Sequence, residues 1–140
     1  MTSHRTPAGN SVNAVTRHRL LVGLVAALGA FVAQASGPKT VQLAMQPMKD
    51  YFRETCFVLD VGQQLTYELN TRHPVEFNLH HHRADGSMSY PVKLVVKSKH
   101  SKQLIAESAE LAGPYCFMAT NVQDQPGAFD VVINYEIAAR

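Results

Sequence analysis

Three consecutive histidines, His80, His81 and His82, stand in the stretch PVEFNLHHHRADGSMSYPVK at residues 74–93. Imidazole is the side chain best suited to binding a transition metal or moving a proton near neutral pH. On a strand successive side chains alternate faces, so His80 and His82 point the same way, about 6.5–7 Å apart along the chain. Two imidazoles so placed could share one ion, and neutral imidazole suits copper, zinc, nickel or iron. A usable site needs a third ligand. The candidates are Asn78 and Glu76 on the same face, or His73 and His100 from neighbouring loops; Met88 or Met118 would favour Cu(I). The competing reading is that histidines at a hairpin tip are only solvated polar residues.

Catalysis is the other chemistry to weigh. A hydrolase needs a nucleophile within reach of a histidine that a carboxylate orients. Ser87 and Ser89 are close in sequence, yet there is no Gly-x-Ser-x-Gly elbow, no acid obviously behind His80 and no glycine-rich phosphate loop. The expectation is a protein that is not an enzyme.

The elements that must position these residues read as strands. Asp85-Gly86 is a strong hairpin signal, because a type I′ turn needs positive φ at both central residues. With those two as the loop, His82 faces Ser89, His81 faces Tyr90 and His80 faces Pro91. One face then carries Phe77, Leu79, His81, Tyr90, Val92 and Leu94, and the other carries Asn78, His80, His82, Ser89, Pro91 and Lys93. The apolar–polar split supports this register, since a one-residue slip would reverse it. Residues 129–137 and 65–69 show the same period of two, and TCFVLD, KTVQLAMQ and a segment through Cys116 complete the set. Residues 103–111 read as a strand and loop, or alternatively as a short helix, since Leu, Ala and Glu favour one. Several short strands in a chain of this length predict an all-β, antiparallel sandwich. The aromatic residues Phe57, Tyr67, Phe77, Tyr90, Tyr115, Phe117, Phe129 and Tyr135 are expected in its core.

Residues 1–35 read as a leader. Arg5, Arg17 and Arg19 precede an apolar and glycine run from Leu20 to Ala33, and Ala33-Gln34-Ala35 follows as a small-x-small site. That is the pattern of a cleaved secretory signal peptide. The run is too short for a spanning helix, which needs about 20 apolar residues, so no transmembrane segment is expected in the mature domain, residues 36–140. That domain keeps 10 Lys and Arg against 11 Asp and Glu, a net charge of −1. The basic whole-chain balance is therefore an export signal, and no nucleic-acid partner is expected. Cys56 and Cys116 are the only cysteines. In an oxidising compartment, periplasmic or extracellular, they would pair as a disulfide, the alternative being two buried thiols. Lys93, Lys97, Lys99 and Lys102 lie on and after the second hairpin strand with His100. They could dock an acidic protein or an anionic membrane surface, or simply keep a sheet edge soluble.

The stretches ETCFVLDVGQQLTYELN, PVEFNLHHHRADGS and LAGPYCFMATN, with a last amphipathic strand, resemble the GOLD (Golgi dynamics) domain over about residues 50–138. That resemblance implies a β-sandwich, GOLD-like or jelly-roll-like, with a disulfide between Cys56 and Cys116 and a non-catalytic interaction role. Cargo receptors of that family continue into a coiled coil and a membrane span, whereas this sequence stops at Arg140, so their receptor role is not carried over. The strand at Phe77–His82 is also similar to a Phe-Asn-Ile-His-x-His strand of small exported bacterial proteins. The expectation is an exported binding module of unassigned specificity, the alternative being a copper- or zinc-binding protein using His80 and His82.

Overall fold

The computed structural model describes residues 36–140, and the expected signal peptide lies outside the described residues. Eight strands follow one another: β1 (Ser36–Met45), β2 (Phe52–Leu59), β3 (Gln63–Thr71), β4 (Val75–His82), β5 (Met88–Val96), β6 (Lys99–Ile105), β7 (Gly113–Asn121) and β8 (Phe129–Ala139). They form two four-stranded antiparallel sheets, ordered β1-β8-β3-β6 and β2-β7-β4-β5. The described residues therefore form an all-β sandwich, as their alternating sequence predicts.

The core lies between the sheets, and the period of two decides who enters it. From β3 and β8 come Leu65, Tyr67, Leu69, Val131 and Ile133; from β4 and β7 come Phe77, Leu79, Tyr115 and Phe117, all buried. The aromatic rings interlock across the gap. Phe117 meets Tyr67 of the facing sheet at 5.2 Å, edge to face, and within its own sheet meets Phe57 at 4.9 Å between centroids. Such contacts add about 0.5–1.5 kcal/mol per pair beyond area burial. Buried Asn121 holds the β1–β2 connection in place by donating from Nδ2 to the carbonyls of Gln46 and Met48.

Residues 103–111 are the expected strand and loop and not the alternative helix: β6 runs to Ile105, and a turn follows in which Leu111 and Ala112 both donate to the Ser108 carbonyl. One expectation needs correction: the β4–β5 hairpin departs from the expected register near its tip. From Val75↔Val96 to Leu79↔Val92 the pairing is as the Asp85-Gly86 turn predicts, but His81 then faces Ser89 and His82 faces Met88. A bulge between Leu79 and His81 absorbs one residue of β5. Pro91 lies there, and proline has no N–H to give the ladder, so bulges are where a strand tolerates it. The loop becomes Arg83–Ser87, closed by Arg83 N–H donating to the Ser87 carbonyl at 2.9 Å. Tyr90 accordingly leaves the core face and is 48% exposed, unlike the other aromatic residues assigned to the core.

Candidate functional site

Residues directly opposite in a ladder share a face, so the pairing fixes what the outer surface of each sheet presents. Outside β1-β8-β3-β6 lie Thr40, Asn134, Thr66, Glu68, Asn70, Lys99, Ser101 and Gln103. These polar side chains bond one another: Thr40 to Asn134 at 2.8 Å, Asn70 to Glu68 at 3.1 Å, and Lys99 to Glu68 at 2.7 Å. The Lys99 ammonium, and next the Asn70 amide, hold the Glu68 carboxyl below its usual range.

The outer surface of β2-β7-β4-β5 is different in kind. One cross-sheet row is Cys56, Cys116 and His80; the next toward the hairpin tip is Val58, Pro114, His82 and Met88; behind lie Glu54, Met118, Asn78 and Lys93, then Phe52, Thr120, Glu76 and Val95. Of the eight large apolar residues that stand exposed among the described residues, five belong to this face: Phe52, Val58, Met88, Tyr90 and Val95.

Cys56 and Cys116 are directly opposite and joined as a disulfide. It ties β2, which lies at the sheet edge, to the central strand β7.

The three histidines have three different environments. His81 enters the core, as its face predicts, but stacks on Tyr115 at 4.4 Å and 10°, not on Tyr90. Its Nε2–H donates to the Ala112 carbonyl at 3.1 Å. Gly113 permits that approach, because a Cβ there would come 3.2 Å from Nε2 and its φ is +129°.

His80 and His82 share the outer face, as expected, but His80 is not a solvated residue: it is only 5% exposed. The His82 ring at 5.0 Å and the Tyr90 ring at 5.9 Å, turned to this face by the bulge, flank it. His80 Nδ1 lies 2.7 Å from Asn78 Oδ1. A carbonyl oxygen only accepts, so Nδ1 carries the proton and the tautomer is set. Nε2 is then 3.8 Å from Glu54 Oε2. Burial, and next the neighbouring His82, push the His80 pKa below the usual imidazole value, while Glu54 acts in the opposite sense.

The third ligands expected from sequence do not converge on this pair. His73 packs edge-on against Phe129. His100 turns inward, its ring 5.9 Å from Tyr67 and 6.2 Å from Phe77. Glu76 pairs with Lys93 at 3.7 Å, two rows away, and the Asn78 oxygen is taken by His80. Glu54 was missed because β2 is far from the histidines in sequence, and only the β2-β7-β4 order brings it across the sheet.

Of the four lysines, Lys93 and Lys99 are separated. Lys93 and Lys99 lie on opposite outer faces, each beside a carboxylate, and Lys102 reaches the Pro91 carbonyl at 3.2 Å. β5 and β6 belong to different sheets, so proximity in sequence does not make one cationic surface. Among the described residues no helix is long and apolar enough to cross a membrane.

No protein-family model and no curated protein matches the chain. Among solved structures it is similar to the crystal structure of Aeromonas hydrophila PliG, a periplasmic inhibitor of g-type lysozyme. The TM-score is 0.44 at 11% identity, covering 74% of this chain and 86% of that one. It is also similar to the family 11 carbohydrate-binding module of cellulosomal cellulase Lic26A-Cel5E of Clostridium thermocellum. There the TM-score is 0.32 at 12% identity, covering 75% and 84%. These values are too low to carry a function from either protein to this one.

Proposed function

We propose that the chain is an exported, non-catalytic binding module that meets its partner through the outer face of β2-β7-β4-β5. The observation that carries this reading is the contrast between the two outer faces. One is polar and bonded to itself; the other exposes Phe52, Val58, Met88, Tyr90 and Val95 around a half-covered histidine pair. Apolar and aromatic side chains gathered on one face, rimmed by charge, are what protein interaction surfaces present. The disulfide supports export, since such bonds persist in oxidising compartments. The likeness to the GOLD domain belongs to the same proposal, and an eight-stranded sandwich with a single cross-strand disulfide supports it.

The test is a photo-crosslinking amino acid placed at Tyr90 or Val58, and separately at Thr66 or Gln103 on the opposite face, in cells that make the protein. One defined protein captured from the first two positions and not the second two supports the reading. Capture of that protein equally from both faces, or from neither, refutes it.

A further inference from the structure

The geometry points to a transition-metal site formed by His80, His82 and Glu54 on the outer face of the β2-β7-β4-β5 sheet, with Asn78 holding the His80 ring in place. It lies on the face proposed for partner binding, but its test needs no partner.

Three features on one patch carry it. The first is a preset ligand. A metal-binding imidazole characteristically donates its second ring N–H to an oxygen that fixes tautomer and orientation. His80 does so, Nδ1 to Asn78 Oδ1 at 2.7 Å, which leaves the Nε2 lone pair facing outward across the sheet. The second is the oxygen donor, Glu54 Oε2, 3.8 Å from that Nε2. Two ligands of one tetrahedral ion, each bound at about 2.0–2.2 Å, stand about 3.4 Å apart, so little movement closes this pair. The third is His82, whose ring lies 5.0 Å from the His80 ring and offers a nitrogen within 4.8 Å of one on His80.

The three side chains differ in exposure as a binding site needs. His80 is buried and bonded, whereas His82 is exposed and the Glu54 side chain is 45% exposed, so two arms can close on a fixed ligand. The sulfur of Cys116 lies in the same cluster, but it belongs to the disulfide and offers no thiolate. Two imidazoles and one carboxylate form a donor set for Cu(II) or Zn(II), with Cu(II) the tighter by the Irving–Williams order.

The experiment uses the full chain, produced in a host that exports proteins and purified with its disulfide intact, without a histidine tag. Cu(II) alone and Zn(II) alone are titrated by calorimetry after chelator treatment, and the Cu(II) form is examined by electron paramagnetic resonance. One ion per chain is expected, with couplings from two imidazole nitrogens. His80→Ala and His82→Ala should each lower affinity by about a hundredfold or abolish binding, and Glu54→Gln by about tenfold. Asn78→Leu should lower it about 10- to 100-fold through loss of orientation. Asn78→Asp, which can accept the same hydrogen bond, should retain it and shows that any loss in Asn78→Leu is not misfolding. The assignment is overturned by absence of saturable binding, by binding that survives His80→Ala and His82→Ala, by indifference to Glu54→Gln, or by a spectrum without imidazole nitrogen.

Discussion

Replacing both cysteines, Cys56→Ala with Cys116→Ala, removes the covalent tie between the edge strand β2 and the central strand β7. The bond spans a sequence separation of 60. In the chain-entropy treatment a closed loop of that size restricts the unfolded state by about 4 kcal/mol at 25 °C. Against a typical total of about 5–15 kcal/mol, that is a large share. With a urea m-value of about 1–2 kcal/mol/M for a domain this small, the unfolding midpoint should fall by about 2–4 M. The loss should also be uneven. β2 has β7 as its only neighbour within the sheet, so its amides should lose hydrogen-exchange protection first, while those of β4 should lose it only with global unfolding. Urea unfolding followed by circular dichroism, with exchange read by mass spectrometry, measures both effects. A destabilisation below about 1 kcal/mol would refute loop restriction as the source of stability. Uniform loss of protection across the sheet would refute the role assigned to the edge strand.

Other outcomes follow from particular contacts. Gly113→Ala places a Cβ 3.2 Å from His81 Nε2 at a φ of +129°, and should cost about 1–3 kcal/mol in thermal unfolding. Tyr67→Phe should leave stability unchanged or raise it by about 1 kcal/mol, because the buried hydroxyl has no hydrogen-bond partner among the described residues. In the parent protein burial raises the Tyr67 pKa, so its phenol should stay protonated in an absorbance titration through the range where exposed tyrosines ionise. His100 is held below the usual imidazole pKa by burial and, second, by Lys102. Its contribution is complete above the unfolded value of about 6.5 and is lost as pH falls from there to the lowered folded value. Stability should therefore decline on acidification through that window, and less steeply in His100→Gln; an equal slope in the two proteins would contradict this.

The strands were legible because their residues obey a period of two over long stretches, as Leu65–Leu69 and Phe129–Ile137 do. The face of His81, and the shared face of His80 and His82, followed from the same alternation. Tyr90 was not legible: one bulged residue at Tyr90-Pro91 reverses its face, and the Asp85-Gly86 signal describes the turn without showing the bulge behind it. Glu54 was hidden for a different reason. Its nearness to His80 depends on β7 lying between β2 and β4, an order that no local pattern records. The lysines failed in the opposite way, being close in sequence but divided between sheets.

The reading of the outer β2-β7-β4-β5 face as the binding surface is tested most directly by partner retention after charge substitution. Tyr90→Asp and Val95→Asp are compared with Thr66→Asp and Gln103→Asp, all at matched thermal stability, against the protein captured by crosslinking. The account predicts that the first two lose the partner and the second two keep it. Retention by all four, or loss by Thr66→Asp and Gln103→Asp alone, would contradict it.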